Sequence, residues 1–242
     1  MVEPRYRTVA QPGARARELD EGLRAYMVRV YNYMALGVAV TSLVTLFMVN
    51  NPALMVSVAG GNMVWVLFIG VIGLAFLAPR LILSGNSAMA HAAYWGYAVL
   101  WGLLISPMVY RYLTLDPGLV FRALAITAAT FGATSLAGYV TKRDLSGLGG
   151  FFMMALIGLV IALVVNIFLQ SVGLSLVISM LVVLVVSAIT AYQTQQIKAM
   201  YVEGDAAVLA QGKAIFGAFI LYGSFITLFI HILNILGIMR SE

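Results

Sequence analysis

From residue 27 onward the chain is dominated by solid apolar runs of about 20 residues, long enough for an α-helix to cross a hydrocarbon core. Seven such runs stand out, at 27–49, 63–83, 89–110, 119–140, 151–170, 174–197 and 214–239. Between them lie short breaks rich in Gly, Asn, Ser or Pro: Asn50-Asn51-Pro52, Gly60-Gly61-Asn62, Ser84-Gly85-Asn86, Asp116-Pro117-Gly118 and Ser146-Gly147. Backbone N–H and C=O groups in lipid must be satisfied within their own segment, and a membrane barrel would alternate apolar and polar positions. The pattern therefore predicts an all-α integral membrane protein with seven transmembrane helices. Residues 27–239 form its transmembrane domain and residues 1–26 an N-terminal tail, whose mixed charges argue against a cleavable signal.

Composition agrees with the pattern. Hydrophobic residues make up 62% of the 242 and charged residues only 10%, too few to cover a soluble domain. Lys and Arg give the orientation. Arg5, Arg7, Arg15, Arg17, Arg24, Arg29, Arg80, Lys142, Arg143, Lys198 and Lys213 fall on the N-terminal side, and Arg111, Arg122 and Arg240 on the other, 11 of 14 against 3. The positive-inside rule then places the N-terminus in the cytoplasm and, after seven spans, the C-terminus outside. Basic residues at segment ends point to phospholipid headgroups rather than nucleic acid. The tail arginines Arg5, Arg7, Arg15 and Arg17 suit anionic headgroups, although Glu18, Asp20 and Glu21 interrupt the run, and a solvated segment is expected there.

Ionisable side chains inside the spans would be the default functional candidates. All nine carboxylates, however, fall in tails or loops: Glu3, Glu18, Asp20, Glu21, Asp116, Asp144, Glu203, Asp205 and Glu242. This argues against a carboxylate proton relay and against a dehydrated Ca²⁺ site. An acid such as Asp144 or Asp205 folded back into the bundle centre against the last helix would overturn that reading. What remains is a neutral stripe on the seventh span, where Ser224, Thr227, His231 and Asn234 share roughly 80° of one helical face at about 100° per residue. On the sixth span Thr190, Gln193 and Gln196 share another face. Two such faces either line a polar passage or hydrogen-bond one helix to the next. His231 is the one titratable member. Small residues on the fourth span (Ala125, Ala128, Gly132, Ala133) and on the seventh (Gly217, Gly223) mark expected close helix contacts.

Enzyme chemistry is not expected. Ser224 and His231 lie about 10 Å apart along one helix, too far for a nucleophile–base pair. Tyr222-Gly223-Ser224-Phe225 lacks the second glycine of a nucleophile elbow. There is no cysteine, His91 and His231 alone make no zinc site, and no Gly-rich phosphate loop is present, so neither metal nor cofactor is expected.

Four segments carry a family resemblance: 26–35 (Tyr26-Met27-Val28-Arg29-Val30-Tyr31-Asn32-Tyr33-Met34-Ala35), 138–146 (Gly138-Tyr139-Val140-Thr141-Lys142-Arg143-Asp144-Leu145-Ser146), 190–198 with Met200-Tyr201, and 221–229. From about residue 23 to 237 the chain resembles the bacterial branch of the Bax inhibitor-1 family. The resemblance implies a seven-helix fold whose last helix is surrounded by the other six, in a bacterial inner membrane. It also implies ion homeostasis, since some bacterial members are pH-gated Ca²⁺ leak channels sensed by a proton-sharing aspartate pair on the last two helices. Here the family's Tyr-Asp-Thr-Gln reads Tyr192-Gln193-Thr194-Gln195, and Leu-Tyr-Leu-Asp-Phe-Ile-Asn reads Leu221-Tyr222-Gly223-Ser224-Phe225-Ile226-Thr227. Gln193 and Ser224 thus occupy the aspartate positions and Thr227 the asparagine position. The expected partners are the lipid bilayer and Ca²⁺ or another cation, with a weakened pH gate. The alternative is a non-catalytic modulator of a membrane-bound ATP-dependent protease, with residues 1–22 as its handle.

Overall fold

The structure, a computed structural model, describes residues 12–59 and 61–240. It contains α1 (Pro12–Val49), α2 (Pro52–Ala59), α3 (Met63–Ile82), α4 (Ser87–Leu115), α5 (Pro117–Val140), a 3-10 turn (Ser146–Leu148), α6 (Gly149–Leu169), α7 (Val172–Ala199) and α8 (Ala207–Arg240). All helices except the short α2 are long and apolar enough to cross a membrane, seven in all. The expected tail boundary at residues 26/27 falls inside α1. That helix is about 57 Å long at 1.5 Å per residue, well beyond a hydrocarbon core of about 30 Å. The side chains of Arg5, Arg7, Arg15 and Arg17, and with them most of the expected handle, lie outside the described residues.

The breaks hold the helix ends by local chemistry. Asn86 Oδ1 accepts from the backbone N–H of Ala88 (3.0 Å) and of Met89 (3.2 Å) and caps α4. Asp116 Oδ1 accepts from Gly118 N at 2.8 Å and caps α5, with Pro117 in the first turn, where its missing N–H costs nothing. Ser171 Oγ accepts from Leu174 N at 3.2 Å and caps α7. Gly85, with φ of 78°, supplies the left-handed residue in the turn between α3 and α4. The helix α2 was not anticipated. Eight residues are too few to show a helical period, yet Met55 and Val58 pack with Met48 of α1 and Leu67 of α3.

α8 is the centre. Of its apolar window 61% is buried, against 22–28% for five of the other spans and 6% for α6. α1, α3, α4, α5 and α7 pack against it, while α6 is the outermost span and packs on α7. The core is therefore a shell of apolar side chains on α8, including Ile215, Leu221, Leu228 and Leu233, all fully buried.

Most of the close approaches occur at glycines other than those the small-residue pattern singles out. A Cβ on Gly138 of α5 would stand 2.2 Å from the backbone oxygen of Ala191 on α7, and one on Gly217 would stand 2.8 Å from Ile197. By contrast Ala125, Ala128, Gly132 and Ala133 are exposed, and Gly132 and Gly223 have nothing within 4 Å of a Cβ. The expectation for the fourth span is thereby corrected. Its buried face is Ala123, Thr127, Phe131, Ser135 and Gly138, set by what α7 and α8 offer rather than by side-chain size alone.

Gly138→Ala is expected to lower the detergent-solubilised protein's unfolding free energy by about 1–3 kcal/mol, because backbone must move. Gly158→Ala, on open α6 surface, should be neutral or slightly stabilising. Thermal melts of the two variants check this; equal melting temperatures would contradict the α5–α7 contact.

Candidate functional site

α7 and α8 run antiparallel and in contact, and their polar side chains meet at two levels. Ser224 is buried, and its Oγ donates to Gln193 Oε1 at 2.7 Å. The two residues singled out from different spans thus face each other. Nearer the C-terminal end of α8, Asn234 Nδ2 donates to Ser179 Oγ (2.9 Å) and to Ser175 Oγ (3.1 Å), and His231 Nδ1 lies 3.1 Å from the same Ser179 Oγ. Thr227 does not bridge helices; its hydroxyl donates back to Gly223 O at 2.8 Å.

The expected α7 face was only partly right. Gln193 pairs with α8, but buried Thr190 donates to Val186 O of its own helix. The partners of His231 and Asn234 are instead Ser175 and Ser179, which sequence reasoning passed over. Their i,i+4 spacing was the available signal, since it puts both hydroxyls on one face a turn apart.

Two further joints surround the pair. Ser135 Oγ of α5 lies 2.7 Å from Tyr31 OH of α1 and 2.9 Å from Thr194 Oγ1 of α7, a hydroxyl chain across three helices. Thr41 Oγ1 of α1 donates to Ala98 O at 2.9 Å and lies 2.7 Å from Tyr222 OH of α8. Gln195 clamps the loop after α5: its Oε1 accepts from Leu145 N at 2.7 Å and its Nε2 donates to Arg143 O at 2.8 Å.

A cavity of about 310 Å³ adjoins Gln193 and Ser224 and is also lined by Tyr97 and Trp101 of α4 and Leu156 of α6. On the other side, toward the α8 N-terminus, Gly217 is pressed between Ile197 and Val30, which closes the bundle with apolar side chains.

The described acids stay outside the bundle centre. Asp144 is exposed and accepts from Ser146 N at 2.8 Å; that backbone contact, with the Ser146 side chain, holds its carboxyl below the ordinary carboxylate range. Asp205 does fold against α8, but at its first turns, where it accepts from Lys213 Nζ at 2.6 Å. Lys213 lies 11 residues, or about 16 Å, from Ser224. Asp116 pairs with Arg240 at the opposite end of α8. Among the described residues no group of three His, Asp or Glu side chains is placed to hold a metal ion.

Residues 23–241 match the family model described as inhibitor of apoptosis-promoting Bax1. The chain is 38% identical over 219 residues to an uncharacterized protein of Deinococcus radiodurans, covering 90% of this chain and 92% of that one. It is 34% identical over 240 residues to the inner membrane protein YbhL of Escherichia coli, covering 98% of each. Over 226 residues it is 35% identical to the uncharacterized protein YrjE of Lactococcus lactis, covering 90% and 93%.

A double-mutant cycle of Ser224→Ala and Gln193→Leu, read by thermal unfolding, should give a coupling of roughly 0.6–2 kcal/mol. Ser179→Ala should destabilise more than Ser175→Ala, because it releases both His231 and Asn234. Strict additivity of Ser224→Ala and Gln193→Leu would mean that the pair is not a joint.

Proposed function

Because the chain belongs to the Bax inhibitor-1 family, we propose that it is a bacterial inner-membrane protein of that family and leaks a cation such as Ca²⁺ slowly, without the aspartate pH gate. The similarity to YbhL, an inner membrane protein of Escherichia coli, supports the membrane assignment. The excess of Lys and Arg on the N-terminal side supports a cytoplasmic N-terminus.

The observation that carries the reading is the Ser224–Gln193 hydrogen bond at 2.7 Å. Two carboxyl groups at those positions would share one proton and split their affinities, so that one titrates near neutral pH. A serine hydroxyl and a glutamine amide make a bond of the same kind, and neither titrates. The contact between α7 and α8 is then the same at every physiological pH and resembles the protonated, closed arrangement. Passage of a cation requires that contact to open transiently, and neutral oxygens alone line the way, so the flux is small. Catalysis is not part of the reading, since the Ser224 hydroxyl donates to Gln193 and His231 Nδ1 faces Ser179.

Ca²⁺ flux through the full-length protein in vesicles should stay within about twofold from pH 6 to pH 8, whereas a gate titrating in that window changes its charged fraction by up to about tenfold per pH unit. A steep alkaline rise would contradict the proposal, and its loss in His231→Ala would assign the titration to that residue. The double variant Gln193→Asp/Ser224→Asp should acquire pH dependence. At low pH the two acids share a proton and hold the helices together. As pH rises the proton leaves, the two charges repel, and flux increases.

A further inference from the structure

α1 and α5 both rest on α8, yet they do not pack along each other; Tyr31 OH and Ser135 Oγ, 2.7 Å apart, tie them. Alongside that tie a groove of about 470 Å³ remains between the two helices. Its walls are apolar, with Met27 and Val28 on α1 and Phe131 and Leu136 on α5. Val28 and Leu136 are exposed, and Gly132, one turn before Leu136 on α5, leaves open space where a side chain would stand. The groove therefore opens sideways to the hydrocarbon, where water cannot fill it favourably.

Its mouth is cationic. Arg24 lines it, is exposed, and has no ion pair among the described residues. Tyr139 closes the same end and carries Lys198 Nζ 4.9 Å from its ring centroid. Lys142 and Arg143, three and four residues after Tyr139, are exposed. Of the nearby acids, Asp144 is turned to its own Ser146, and Asp20 and Glu21, exposed one turn before Arg24 on α1, have no ion pair with it. From Arg24 to Tyr31 the groove descends seven residues, about 10 Å, which carries it from headgroup depth into the acyl region.

We propose that this groove is a binding site for one anionic phospholipid of the surrounding leaflet, its phosphate on the Arg24 guanidinium and one acyl chain along Gly132 between α1 and α5. The cationic rim selects the net charge, and the apolar walls with the missing side chain at residue 132 admit the chain. The site is separate from the Gln193–Ser224 pair and does not depend on the ion-leak reading.

The test uses the full-length protein in nanodiscs of equimolar phosphatidylglycerol and phosphatidylcholine with matched chains, followed by native mass spectrometry of retained lipid. Phosphatidylglycerol should be retained over phosphatidylcholine by about fivefold, the scale of one basic residue meeting an anionic headgroup. Arg24→Gln should bring the ratio close to one. Arg122→Gln, on α5 at the far side of the membrane, should leave it unchanged. Gly132→Leu should remove the retained lipid, and Leu136→Trp carries the same readout should the glycine variant fail to fold. Equal retention of both lipids by the unaltered protein would overturn the proposal. So would a ratio unmoved by Arg24→Gln, or a dimer cross-linked through residue 132 with no lipid retained.

Discussion

A polar side chain on a helix enclosed by other helices has no water to turn to, so the neighbouring helices must supply its partners. α8 meets that constraint through partners on its neighbours, except at Thr227, whose hydroxyl donates to Gly223 O of its own helix. Ser224, His231 and Asn234 find Gln193, Ser179 and Ser175 on α7, and Tyr222 finds Thr41 on α1. Apolar contacts between spans are poor at choosing a register, because lipid tails are as apolar as Leu. These few neutral hydrogen bonds therefore help set how α7 lies on α8. Once α7 is placed, Gly138 lets α5 close on Ala191, and Ser135 joins α5 to both α7 and α1.

The four segments that carry the family resemblance are the places where helices meet. Tyr31 from the first touches Ser135, which also holds Thr194 of the third. Gln195 and Lys198 of the third grip Arg143, Leu145 and Tyr139 of the second. Ser224 and Tyr222 of the fourth reach α7 and α1. Lipid-facing residues, such as most of α6, need only be apolar, so they carry little identity; joints require particular side chains.

The same joints explain how the bundle holds Gln193 and Ser224 against each other at its centre. The contact needs one donor and one acceptor at close range, and a hydroxyl facing an amide oxygen provides both. Neither side chain carries a charge. A cavity lies beside the pair, and toward the α8 N-terminus Gly217 is packed against Ile197 and Val30. At the ends of α8 acids do pair, Asp205 with Lys213 and Asp116 with Arg240.

Much of this was legible before any coordinates. Run length against bilayer thickness determined the seven spans. Asn86 and Asp116 fell in the breaks read between spans, and the placing of the acids in tails and loops argued against a carboxylate at the centre. Spacing also put Ser224, Thr227, His231 and Asn234 on one face. It did not say which helix that face would meet, or where along it. Tertiary packing alone decided that Ser175 and Ser179, rather than Thr190 and Gln196, lie opposite the outer half of the stripe. It also decided that Ala125, Ala128, Gly132 and Ala133 of α5 face outward and that α6 lies outermost on α7. The reason is that periodicity fixes angles around one helix axis, whereas a hydrogen bond between helices depends on the crossing, offset and rotation of two.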